Sequence, residues 1–262
     1  MKPRDVWMSV FAVLLFGFLL SQNALATIAW QKYRNARAAI ILTKDDKLAL
    51  EIGNHYFNGA GGYDLEKSER AFKKAVQIDS KILWGHYQLA RIYLVRGERI
   101  KALSEINKEL DANPENLRAL YIRALINSYN GNFNSAEKDF RNFVSWAPKE
   151  WAGHNDLAWV LLKQGKYQEA EDALEIAFQD VYKSEENSWL WNSLGVAELN
   201  LRKYKTAEAS FRKARELAET ITLEEWSRAY PGNNPAESEK GFSDFKRAIE
   251  ENLKRSSVDK AL

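Results

Sequence analysis

Three histidines, pairs of adjacent carboxylates and one glycine cluster are the residues of this chain with types suited to chemistry, and their spacing argues against each. His86 and His154 stand 68 positions apart, twice the 34-residue period developed below. A repeating fold puts them in equivalent places, roughly 20 Å apart at 8 to 10 Å per helix layer, too far to share a metal. They read as packing residues, and so does His55 beside Tyr56. Glu185-Glu186, Glu224-Glu225 and Glu250-Glu251 are sequence neighbours. Such pairs do not face each other across a cleft as an acid and a base must, and they read as solvated faces. Gly59-Ala60-Gly61-Gly62 does not follow a strand, so it reads as a turn rather than a phosphate loop, and no nucleophile-elbow, Walker or dinucleotide motif occurs. Cysteine is absent, which removes disulfides, thiolate metal sites, a cysteine nucleophile and a lipid-bearing cysteine. The expectation is a protein that is not an enzyme and needs no cofactor or metal.

Charge narrows the partners further. Lys+Arg 38 against Asp+Glu 36 gives a net charge of +2, which leaves no global electrostatic footprint for nucleic acid. What stands out is aromatic content: 9 Trp, 11 Tyr and 12 Phe in 262 residues. Aromatics dominate both cores and interfaces, so their meaning depends on the elements that place them.

Those elements follow from a repeat. Ala102, Ala136 and Ala170 are spaced 34 apart, Ser68 lies 34 upstream, and Ala207 follows after 37. Four positions further stand Phe72, Ile106, Phe140, Leu174 and Phe211, and three beyond those Ala75, Glu109, Phe143, Ala177 and Ala214. Upstream lie pairs of a large apolar then a small residue: Ile52-Gly53, Leu89-Ala90, Leu157-Ala158 and Leu194-Gly195, with Arg123-Ala124 as the imperfect member. Pro114 and Pro148 close two units, and Gly97, Gly131 and Gly165 sit between the halves. Apolar spacing of three and four, as in Leu157, Leu161 and Leu162, predicts two amphipathic helices per unit, with small residues where they approach closely.

These columns resemble the tetratricopeptide repeat, whose pattern runs W-x2-L-G-x2-Y, A-x3-F, P. Trp191-x2-Leu194-Gly195 followed by Ala207-x3-Phe211 is the nearest copy, and five copies cover Asp46 to Glu219. The resemblance implies an all-α solenoid of helical hairpins, each pair burying its apolar face on the next and the first helices lining a concave surface. It also implies which first-helix positions face that surface: Trp84, Tyr87 and Arg91; Arg118, Tyr121, Leu125 and Tyr129; Asn155 and Trp159; Trp189 and Asn192. Aromatic area with polar groups between suits a protein or peptide ligand. Two rival readings are that the aromatics pack on the chain's own terminal helices, and that the array stacks on further copies of itself. Family members that grip a carboxylate do so with lysines and asparagines; Asn54 and Arg118 fit, but Leu50, Gln88 and Ile122 do not, so such a clamp is not expected.

The ends differ from the repeats. Residues Val6 to Leu20 are apolar and uncharged, with Lys2 and Arg4 before them. Residues 1–30 are therefore expected to be a single transmembrane anchor, with Trp7 and Trp30 at interfacial depth, or a signal peptide ending at Ala24-Leu25-Ala26. Cleavage would leave an exported soluble protein. Basic residues on both flanks leave the side open; the signal-like order favours an extracytoplasmic body. Residues 31–45 read as a basic helical linker, 46–219 as the repeats and 220–262 as a capping helix and tail. The start is placed at Asn234-Pro235-Ala236-Glu237, with a stripe of Phe242, Phe245, Ile249 and Leu253.

Overall fold

A computed structural model describes residues 17, 21–57, 62–229 and 237–258. Apart from Gly17, the apolar run Val6–Leu20 lies outside them, and among the described residues no helix is long and apolar enough to cross a membrane. The N-terminal hydrophobic helix expected from the sequence is thus not supported by the described residues. The chain forms two compact units: residues 1–93 with 104–114, and residues 94–103 with 115–262.

The first unit begins with α1 (21–31) and α2 (Ala36–Leu42), which cover α3 (Asp46–Phe57) and α4 (Leu65–Ile78). Asn35 falls within the region 31–45 expected as a helical linker and starts a new helix there: its side chain accepts from the Ala38 amide at 3.1 Å and caps α2. Trp30 is fully buried with Ala26, Leu48, Ile52 and Tyr56, and its indole donates to Glu51 Oε1 at 2.8 Å. This residue, expected at a membrane interface, is instead core, because the face of α1 that carries it has an apolar cluster to bury against. Gly53 is required by close packing, since a Cβ there would meet the Phe72 ring at 2.3 Å.

Segments of α5 (Gly85–Val95) and α6 (Arg99–Ala112) contribute to both units. In the first, Glu109 stands in an otherwise mostly apolar column yet is fully buried. Its Oε1 accepts from the Trp84 amide at 3.0 Å and its Oε2 from the Tyr87 amide at 3.1 Å. A carboxylate accepting from two amides at the start of α5 is a cap supplied from another helix, favoured also by the helix dipole.

The second unit contains three hairpins: α7 (Leu117–Tyr129) with α8 (Phe133–Trp146), α9 (Trp151–Lys163) with α10 (Tyr167–Asp180), and α11 (Ser188–Asn200) with α12 (Tyr204–Thr220). Ala136, Ala170, Ala207, Phe140, Leu174 and Phe211 are all fully buried, so the columns are the seam between paired helices. The imperfect pair Arg123-Ala124 has a local answer: Arg123 donates to both Asp139 oxygens, at 2.7 and 2.8 Å, so an ion pair replaces an apolar contact. The insertion before α11 forms a short 3-10 turn, Ser184–Glu186, and Asn187 then caps α11 through the Trp189 and Leu190 amides.

Two helices close this unit. α13 (Leu223–Ala229) opens with reciprocal Thr222 and Glu225 bonds. α14 (Ser238–Val258) packs on α12, Ile249 against Ala214 and Ala218, and Leu253 against Leu199, Ala207 and Phe211. The predicted start Asn234-Pro235-Ala236 lies outside the described residues, and the helix runs past Arg255, burying Ser256 rather than fraying there.

Candidate functional site

The eleven residues predicted to face a ligand fall into three settings. Trp84, Tyr87 and Arg91 belong to the first unit. Trp84 has φ +76°, a left-handed backbone held by the Glu109 cap, and its ring meets Tyr87 edge-on at 5.2 Å. The Arg91 guanidinium lies 4.5 Å from the Phe57 ring centroid and donates to Gln88 Oε1 at 2.9 Å, while Gln88 donates to Asn54 Oδ1 at 2.6 Å. Asn54, which fitted a carboxylate clamp, is therefore engaged within the chain.

The second setting is a pocket of about 180 Å³ between α7 and α9. Leu125, Ser128 and Tyr129 line it from α7, Phe140 from α8, and Asn155, Asp156 and Trp159 from α9. The repeat builds it, since consecutive first helices lie side by side and Phe140 forms the floor from the seam. Four predicted residues, Leu125, Tyr129, Asn155 and Trp159, meet here. Tyr129 is 51% and Trp159 37% exposed, so both present ring area to solvent. Tyr121 is different. Its ring is buried against Phe140 and Phe143, and its hydroxyl donates to Asp156 Oδ2 at 2.5 Å, making it a support of the pocket rather than its lining. Asn155 is likewise buried; it donates to Asp156 Oδ1 at 3.2 Å and accepts from Ser193 Oγ at 2.8 Å. Arg118 is exposed and does not line the pocket.

Asp156 was not singled out by sequence. The available signal was a carboxylate at a first-helix position where the neighbouring copies carry Gln88, Ile122 and Ser193. Desolvation pushes its carboxyl up to about 6, against the opposing bonds from Tyr121 and Asn155. The Tyr129 phenol is also raised, first by desolvation at its oxygen, then by the negative charge of Asp156, with Arg99 opposing. Arg99 itself donates to the Tyr129 carbonyl at 2.8 Å.

The third setting surrounds Trp189. Its ring stacks on Trp151 at 5.3 Å, Trp226 at 5.4 Å and Phe245 at 5.5 Å, so the chain's own α13 and α14 occupy the space a ligand would need. Asn192 accepts from Asn252 Nδ2 of α14 at 3.3 Å. The histidines are used locally: His86 meets Glu105 at 2.6 Å, His154 the Pro148 carbonyl at 2.8 Å, and His55 the Trp30 ring edge-on at 4.9 Å. Among the described residues no group of His, Asp and Glu side chains is arranged to hold a metal ion.

Comparison with known proteins agrees with this architecture. A tetratricopeptide repeat model matches residues 128–180 and 155–220. Over 99 residues the chain is 32% identical to DnaJ homolog subfamily C member 3 of Mus musculus, which is 38% of this chain and 19% of that protein. The human protein matches equally. The chain thus spans about a fifth of the length of these curated relatives. Among solved structures, MamA protein superimposes with a TM-score of 0.57 at 20% identity, covering 66% of this chain and 92% of that one. YrrB, described as a TPR protein with an unusual peptide-binding site, gives 0.58 at 17% identity over 71% of this chain and 93% of its own.

Proposed function

We propose, from the premise that this chain is a tetratricopeptide repeat protein, that it is a membrane-tethered scaffold binding a protein partner through its first-helix face. The fold brings one general capacity, protein interaction through stacked helical hairpins. The observation that carries the specific reading is the pocket between α7 and α9, where Tyr129 and Trp159 keep ring area exposed beside buried polar groups. Exposed aromatics rimming a concavity with few polar groups are what a peptide anchor needs. The peptide-binding site ascribed to YrrB gives the reading a precedent on the same fold.

The test is partner capture by crosslinking in cells, comparing the unaltered chain with a Tyr129→Ala, Trp159→Ala double variant. Loss of the captured species with an unchanged melting temperature supports the reading; undiminished capture overturns it. Tyr121 is left intact because its substitution would disturb Asp156 and the core together.

Tethering rests on the apolar run Val6–Leu20. Retention of that run rather than cleavage after Ala26 is supported by α1, which continues through that point with Ala26 and Trp30 in one cluster, while Asn23 Oδ1 accepts from the Lys44 amide at 2.7 Å. Cutting there would divide a packed helix. Sequencing the mature N-terminus tests this: a start at Thr27 overturns the tether, and an intact start is expected. Protease accessibility in sealed vesicles then fixes the side, expected to be extracytoplasmic.

A further inference from the structure

We infer that the pocket between α7 and α9 is a receptor for one basic side chain, lysine or arginine, of a partner peptide. This rests on the reading of the first-helix face as a peptide-binding surface, and adds what that surface selects.

Asp156 receives two hydrogen bonds, from the Tyr121 hydroxyl and the Asn155 amide, both neutral donors, and forms no ion pair among the described residues. Three other shielded carboxylates of the same unit are ion-paired, Asp139 with Arg123, Glu171 with Lys203 at 2.6 Å and Glu137 with Lys166 at 2.8 Å, whereas Glu198 is held, like Asp156, by a neutral donor, the Ser210 hydroxyl at 2.6 Å, but does not line the pocket. The nearby cations are turned elsewhere, Arg99 to the Tyr129 carbonyl and Lys163 to the Trp159 ring at 5.2 Å. A desolvated carboxylate held by neutral donors alone is costly, and such groups concentrate where a ligand completes them.

The walls fit the same occupant. Tyr129 and Trp159 stand at the mouth with exposed rings, and an aromatic face attracts a cation while packing on the methylene stem behind it. Leu125 and Phe140 give the stem an apolar floor. A carboxylate partner would meet Asp156 as a like charge, and an apolar one would leave it desolvated and unmatched.

Acidity should therefore gate the site. The groups facing Asp156 are Tyr121 and Tyr129 from α7 and Asn155 from its own helix, with Arg99 beyond Tyr129; α8 brings Phe140, and no residue of α10 or α11 lines the pocket. With a carboxyl near pH 6, the charged form that a cation recognises is lost as pH falls through that value.

The experiment uses the full chain in mild detergent on arrays of random dodecapeptide pools whose central residue is fixed as Lys, Arg, norleucine or Glu. The expected result is about tenfold stronger retention by Lys and Arg pools than by norleucine at pH 7.5, a preference that shrinks toward unity at pH 5 and is absent in Asp156→Asn. That variant should remain folded at pH 7.5, so that loss of the preference is read apart from loss of the fold, and the pH dependence of the preference is what a merely structural carboxylate would not give. Equal retention of basic and norleucine pools, an undiminished preference in Asp156→Asn, or one unchanged at pH 5 overturns the inference. If pools bind regardless of central residue and Trp159→Ala abolishes binding, the peptide-binding reading survives and this inference falls. If no pool responds to Trp159→Ala, both fall.

Discussion

Trp159 and Trp189 lie on first helices of successive repeats, and the repeat register points both at a ligand. Their surroundings diverge. Trp189 is enclosed by Trp151, Trp226 and Phe245, two of them delivered by helices that follow the last repeat. Trp159 has Phe133 at 6.2 Å and Lys163 beside it, no helix among the described residues covers it, and it borders a cavity whose wall includes Asp156. The lesson is about ends: the last pair of a stacked array has no successor to bury its face, so the chain closes it with α13 and α14 and spends aromatic area on stability. An interior pair needs no such cover, which leaves its first-helix aromatics available for contact.

This contrast can be broken by substitution. Trp189→Ala removes a ring stacked on three others and should destabilise the second unit by about 3 to 5 kcal/mol in denaturant unfolding; a loss as small as that of Trp159→Ala would erase the distinction. Asp156→Asn should act in the opposite sense. The native carboxyl lies near 6 against an ordinary 3.8, so the native state holds its proton more tightly, and stability falls as pH rises from 3.8 through 6. Relative to its effect at pH 3.5, the substitution should be more favourable by roughly 2 to 3 kcal/mol at pH 8, which paired melts at the two pH values would measure. Gly195→Ala, beneath the last repeat's aromatic stack, drives a Cβ to 2.6 Å from the Phe211 ring and should cost about 1 to 2 kcal/mol despite better helix propensity. Arg202 takes φ +61° where earlier repeats use Gly131 and Gly165, so Arg202→Gly should gain about 1 kcal/mol by the same assay. Trp159→Ala should change stability by less than about 1 kcal/mol and show its effect in ligand capture instead.

The hairpins were legible because their signal is local and periodic. An alanine every 34 residues can mean little except a place where two helices touch, and Ala102, Ala136 and Ala170 are all fully buried. The capping stripe Ile249 and Leu253 was legible for the same reason. Departures from the columns were harder. Arg123 is the imperfect member of its column and is paired with Asp139 on the other helix of its hairpin; Glu109 is the charged member of its column and caps α5. For Arg123 and for Glu109, which the sequence showed only as a member of its column, the role depends on another residue brought close by the fold. Trp30 misled more strongly, since an aromatic after an apolar run suits a membrane interface as well as a core, and only the cluster around Ile52 and Tyr56 decides.

The sequence by itself determined the all-helical repeat, its register and the set of side chains on each first helix, because 34-residue spacing and small-residue columns constrain packing between neighbours in the chain. The fold sets which aromatics are covered and which carboxylates lack a countercharge. Exposure belongs to a side chain's neighbours rather than to its type: Trp189 is closed by residues from α13 and α14, whereas Asp156 stands among neutral donors because the cations near it are held by other groups.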